Sequence, residues 1–267
     1  MFGNWTPLIW LALTLVPLFL MKRWINRHIQ GLGLLLMGDN ETAMLLYFVL
    51  LLPGIIIHEL SHWLTAKLLG VRTGEISLWP SKRPGNQMRM GSVRVARTDP
   101  FRASLIGVAP LISGSIAILI IGQLILGFTL PCCDGGGPGW GWGDLGEVLL
   151  KGEWGQIWKS LLAHIQAPDF WLWLYLIFAV SNAMLPSETD REPWRPVLLF
   201  ACLAVLFFYL TGWVRQVPEV LANASLTSAS YLAYAFSLTA VADAIFIAII
   251  AIFEALVSRL TGKRVEY

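Results

Sequence analysis

An all-α polytopic membrane protein, with about six transmembrane helices and a short cytoplasmic β-hairpin, is the fold class that three observations predict. Of the 267 residues, 56% are hydrophobic and 13% charged, and the mean hydropathy is +0.65. A soluble domain runs nearer a quarter charged. Six apolar runs each approach the roughly 20 residues that carry a helix across a bilayer. Several of the 13 tryptophans (Trp5, Trp24, Trp171, Trp194, Trp213) flank those runs, as interfacial belts do.

The first run, 5–21, has no basic stretch before it and no small-residue cleavage site after it, so it reads as a span rather than a signal peptide. Residues 22–42 read as a loop, in which 31–37 is an interfacial or re-entrant piece too short to cross. The second span is 43–69. In the connection 72–102, Glu75-Ile76-Ser77-Leu78-Trp79, Met88-Arg89-Met90 and Val93-Arg94-Val95 alternate apolar with polar around Pro84-Gly85-Asn86. Period two with a Pro-Gly break predicts a hairpin or β-ribbon at the membrane face. A solvated basic loop against anionic headgroups fits the composition equally well. Further spans follow at 104–130, 170–186, 196–213 and 230–256, with a Gly- and Trp-rich loop at 134–143. The chain divides into an N-terminal helix and loop (1–42), a core (43–195), and two C-terminal helices with a basic tail (196–267).

Twelve basic residues in the connections fall on the side of the 72–102 loop and six on the other, which places that loop and the N-terminus in the cytoplasm. Lys22, Arg23 and Arg27, directly after the first span, argue locally for the opposite sense. The three cysteines offer no metal spacing and no disulfide framework, since Cys132 and Cys133 are adjacent and Cys202 lies in an apolar run. The bilayer is the expected environment, and no nucleic-acid partner is expected.

Chemistry concentrates in His58-Glu59-Leu60-Ser61-His62, which follows a run, 44–57, without a single charge. Two histidines four residues apart share one helix face. That pair can grip one Zn²⁺, while the intervening Glu is placed to activate water. A chance occurrence of the motif would carry three ionisable groups to membrane depth for no gain, and such groups by default mark function.

A catalytic zinc keeps three protein ligands and an open position. The other histidines, His28 and His164, lie in loops assigned to the opposite side, so an acid is expected: Asp190, Glu188, Asp243 or Glu254. Asp190 is the strongest candidate, because Pro186 breaks the fourth span just before it, and irregular backbone at that depth lines cavities. An interfacial acid paired with Arg191 is the plain alternative.

HELSHWLTAKLLG (58–70), a basic β-loop, GVAPLISG (107–114) and then Asn182, Pro186 and Asp190 together resemble the site-2 protease family of intramembrane zinc metalloproteases. The resemblance covers roughly residues 43–195. It implies metal ligands His58, His62 and Asp190, Zn²⁺ as cofactor, Glu59 as general base, and Asn182 as a polar partner of substrate or transition state. It also implies a transmembrane protein substrate, cut at a site facing the cytoplasm. This chain departs from the family's usual pattern: Pro186 stands four residues after Asn182, and Arg191 rather than Gly follows Asp190. The Asn-to-Asp separation of eight is kept.

Peptide hydrolysis in lipid needs water and an unwound substrate, and the 74–95 loop offers a strand edge to hold one extended. Two other readings remain at this level. A soluble-facing zincin merely anchored by helices would need an aqueous domain for which no stretch is large enough. A non-catalytic scaffold or transporter would account for Asp243 in the last span, but not for an intact Glu59.

Overall fold

A computed structural model of the chain describes residues 6–82, 88–89, 91–122, 169–211 and 219–263, and these are mostly helical. Helices α1 (Thr6–Met37) and α2 (Asn40–Leu68) run antiparallel around a two-residue turn. Asp39 caps α2 by accepting a hydrogen bond from the Thr42 N–H at 2.8 Å, one of the donors a first turn leaves open. Across the pair the Tyr47 hydroxyl donates to Asn26 Oδ1 at 2.8 Å.

The basic connection folds as a twisted ribbon. Strand β1 (Thr73–Ser77) pairs antiparallel with β4 (Ser92–Val95), with Ile76 opposite Val93 and Ser77 opposite Ser92. The register shifts between Thr73 and Ile76. Beyond them β2 (Ser81–Lys82) pairs with β3 (Met88–Arg89), matching Ser81 to Arg89. Of the period-two segments, residues 75–77, 88–89 and 93–95 therefore lie in strands, whereas Leu78 and Trp79 do not.

Helix α3 (Pro100–Ile120) begins at Asp99, whose Oδ1 accepts from Arg102 N–H at 3.0 Å, with Pro100 at the first helical position. Both capping carboxyls are held below the ordinary aspartate range, Asp39 by its bonds from Thr42 and Asp99 by the Arg102 amide. Helix α4 (Phe170–Met184) stops where Leu185 turns extended (φ −68°, ψ 127°), the conformation a following proline imposes. One short turn, α5 (Glu188–Arg191), leads into α6 (Trp194–Leu210), and α7 (Glu219–Thr261) closes the bundle.

Four helices are long and apolar enough to cross a membrane, or five if α4 and the start of α6 count as one span bent by 57°. Large apolar side chains face outward along them, such as Leu13 and Val16 on α1, Leu199 and Phe207 on α6, and Ile252 on α7. Such a belt suits lipid and would aggregate in water. The core lies where α1, α3, α4 and α7 meet, around Leu18, Ile118, Ile177 and Phe236, and where α1, α2 and α4 meet, around Ile25, Phe48 and Phe178.

The first loop needs correction. Residues 22–37 continue α1 without a break, so 31–37 is neither interfacial nor re-entrant but the last two turns of a helix. Hydropathy ends the span at Lys22 because it sees charge, whereas three of these polar side chains are satisfied within the bundle. Lys22 Nζ donates to the Leu185 carbonyl at 3.1 Å, Asn26 meets Tyr47, and His28 Nδ1 lies 2.6 Å from Glu254 Oε2 while stacking on Trp24. The last helix is also longer than its expected 230–256. The third is described only to residue 122. The 134–143 loop, His164, Cys132 and Cys133 lie outside the described residues.

Candidate metal centre

His58 and His62 stand one turn apart near the C-terminal end of α2, on the face turned toward α3 and α4. Each imidazole is fixed by its far nitrogen. His58 Nδ1 is 2.8 Å from the Ala183 carbonyl of α4, and His62 Nδ1 is 2.8 Å from the Ile106 carbonyl of α3. A carbonyl oxygen carries no proton, so each Nδ1 is the donor, and in the neutral ring each Nε2 then presents a lone pair. Backbone carbonyls holding a histidine in this way are the usual outer support of a metal ligand.

The two Nε2 atoms are 3.1 Å apart. Asp190 joins them from α5, with Oδ1 at 3.3 Å from His62 Nε2 and Oδ2 at 3.7 Å from His58 Nε2. Two imidazole nitrogens and a carboxylate thus converge, all the ligand atoms lying within 4.8 Å of one another. Such a cluster repels itself until a cation or proton joins it. His58, His62 and Asp190 could hold a metal ion, and two nitrogens with one carboxylate oxygen is a donor set catalytic zinc uses.

The four acids considered for the third ligand separate clearly. Asp190 is at the histidines; Glu254 pairs with His28, and Asp243 bonds to Ser181 Oγ (3.0 Å) and Asn182 Nδ2 (3.3 Å). The Glu188 side chain lies outside the described residues. Glu59 is buried beside the cluster at 8% exposure, and Asn182 lines the same cleft of about 910 Å³.

Four further residues shape the site without having been picked out as candidates. Ser187 donates to Asp190 Oδ2 through both Oγ (2.5 Å) and its backbone N–H (2.8 Å), while the Asp190 N–H returns to Ser187 Oγ at 3.4 Å. This is a reciprocal cap of α5, and its signal, Ser-x-x-Asp after a proline, is readable in the sequence. Lys22 places the only charged side chain that α1 brings to the cleft, its ammonium on the carbonyl that ends α4, where a cation is favoured. Gly107 of α3 admits the Asp190 backbone, and Gly91, just before β4, would put a Cβ 2.9 Å from Glu59 Cγ and Oε1. Close approaches of this kind leave no mark in hydropathy.

No family model, curated protein or solved structure matches the chain.

Proposed function

We propose that this protein is an intramembrane zinc metalloprotease of the site-2 protease kind, cutting transmembrane protein substrates near the cytoplasmic membrane face. One observation carries the reading. Three candidate ligand side chains converge inside an apolar helical bundle, with a further buried carboxylate, Glu59, lining the same cleft of about 910 Å³.

Zn²⁺, when held by His58, His62 and Asp190, supplies Lewis acidity, lowering the pKa of water and polarising a carbonyl. Glu59 takes the proton of the attacking water on a carboxylate oxygen and returns it to the leaving nitrogen as the C–N bond breaks. The cleft continues from the histidines along α2 past Ile55 and Leu51 to Tyr47, an apolar limb suited to a lipid-derived segment. At its other end Arg97, Thr98, Ser187 and Thr189 make a polar mouth through which water enters. Val93 and Val95 of β4 line the wall between, where an extended substrate can lie alongside a strand.

The transporter reading leaned on Asp243, whose Oδ1 instead accepts from Ser181 and Asn182 within the bundle. The deciding experiment compares wild type with Glu59→Gln in proteoliposomes, measuring zinc content and cleavage of a model transmembrane peptide. Zinc retained with cleavage reduced about 10²–10⁴-fold or more supports the reading. Near-normal cleavage by Glu59→Gln, or none by zinc-loaded wild type, overturns it.

A further inference from the structure

Helix α7 brings a buried acid to the back of the cleft, and the chemistry above does not use it. Asp243 is 2% exposed, and its Oδ1 accepts from Ser181 Oγ and from Asn182 Nδ2. The same Nδ2 donates to the Phe178 carbonyl at 2.9 Å. Those contacts decide which way the amide faces. Turned over, Asn182 would set its oxygen against the Phe178 carbonyl, which has no proton to give, and against an Asp243 oxygen already accepting from Ser181.

The amide oxygen is therefore the free end. Asn182 is 4% exposed, its Oδ1 has no hydrogen-bond partner among the described residues, and the residue lines the cleft that holds His58, His62 and Asp190. Buried acceptors are nearly always satisfied, so an orphan beside a cleft points to a donor on whatever fills it. A peptide in extended form carries such donors at every residue, its main-chain N–H groups. Held this way, Asn182 cannot offer its N–H to a substrate carbonyl.

We propose that Asp243 is a positioning residue that clamps the Asn182 amide with its oxygen toward the cleft, so that Asn182 accepts a main-chain N–H of the bound substrate. This rests on the proteolytic reading and specifies how that site reads a peptide.

The test uses proteoliposomes and a cleavable transmembrane peptide. A set of ester analogues accompanies it, each replacing one N–H near the scissile bond by oxygen. In wild type, one ester position should lower kcat/KM about five- to tenfold, chiefly through KM. In Asn182→Leu and Asp243→Leu the amide peptide should lose a similar factor, and the same ester should then cost nothing further. Asp243→Asn, which keeps an acceptor oxygen, should restore the ester penalty, and zinc content at the wild-type level verifies that each variant is folded. An ester penalty that survives in Asn182→Leu, or no sensitive position in an active wild type, overturns the proposal while leaving proteolysis intact. A penalty lost in Asn182→Leu but kept in folded Asp243→Leu removes Asp243 from it. A wild type that cleaves nothing removes the proteolytic reading itself, and the proposal with it.

Discussion

Gly107 of α3 lies so close to the backbone carbonyl of Asp190 that any Cβ at that position would collide with it. Asp190 is thus seated against α3 by its main chain while its side chain reaches the histidines of α2. Gly54 does the same one layer deeper, admitting the Ala179 carbonyl of α4 a turn before His58. Gly107→Val should push α5 outward and lower zinc affinity about 10–100-fold, the range for losing an outer support. Chelator competition reads this directly, and unchanged affinity would show that α5 adjusts freely.

Metal content tests the ligand set. Wild type should hold one zinc per chain, lost in His58→Ala, His62→Ala and Asp190→Ala. Glu254→Ala should keep it, because Glu254 belongs to His28. Loss of zinc in Glu254→Ala with retention in Asp190→Ala would move the third ligand.

Ser187→Ala removes a hydroxyl that bonds Asp190 Oδ2 and caps α5. Zinc affinity should fall about tenfold, with Ser187→Thr restoring most of it. Equal affinity in the alanine variant would leave the cap without a role at the centre.

Gly91→Ala brings a methyl group against Glu59, the proposed general base, rather than the candidate ligands. Zinc should stay, while kcat falls on the order of 10²-fold, as displacing a reacting group by about 1 Å does. A loss of zinc in place of turnover would show that the ribbon supports the histidines instead.

Access can be mapped from the cleft mouth. Thr98→Cys and Thr189→Cys, in a background lacking Cys132, Cys133 and Cys202, should react with membrane-impermeant thiol reagents applied from the cytoplasm. Reaction only from the other side would reverse the orientation drawn from the basic residues.

The helix that sets His58 and His62 on one face, the ribbon and the break at Pro186 were all legible in the sequence, because each rests on a local pattern: i, i+4 spacing, period-two alternation, and a proline after an apolar run. The continuity of α1 was not. Its polar side chains look like the end of a span until Lys22, Asn26 and His28 are seen to pair with Leu185, Tyr47 and Glu254 on other helices and their ends. The α4–α5–α6 bend was expected as two separate spans, since a 15-residue apolar helix gives no sign of whether its successor turns back or only aside. The Ser187 cap was readable and is the one local signal that went unused.

The three candidate ligands are tied to two walls of the bundle: His58 through the Ala183 carbonyl to α4, and His62 through the Ile106 carbonyl and Asp190 along the Gly107 face to α3. Ion affinity and interhelical cohesion are therefore linked thermodynamically, each changing the other by the same factor. A guest that wedges α4 away from α2 loosens the ion by as much as the ion resists the wedge. Stripping the metal should correspondingly lower the melting temperature of the whole bundle, and tight chelation should ease entry between its helices.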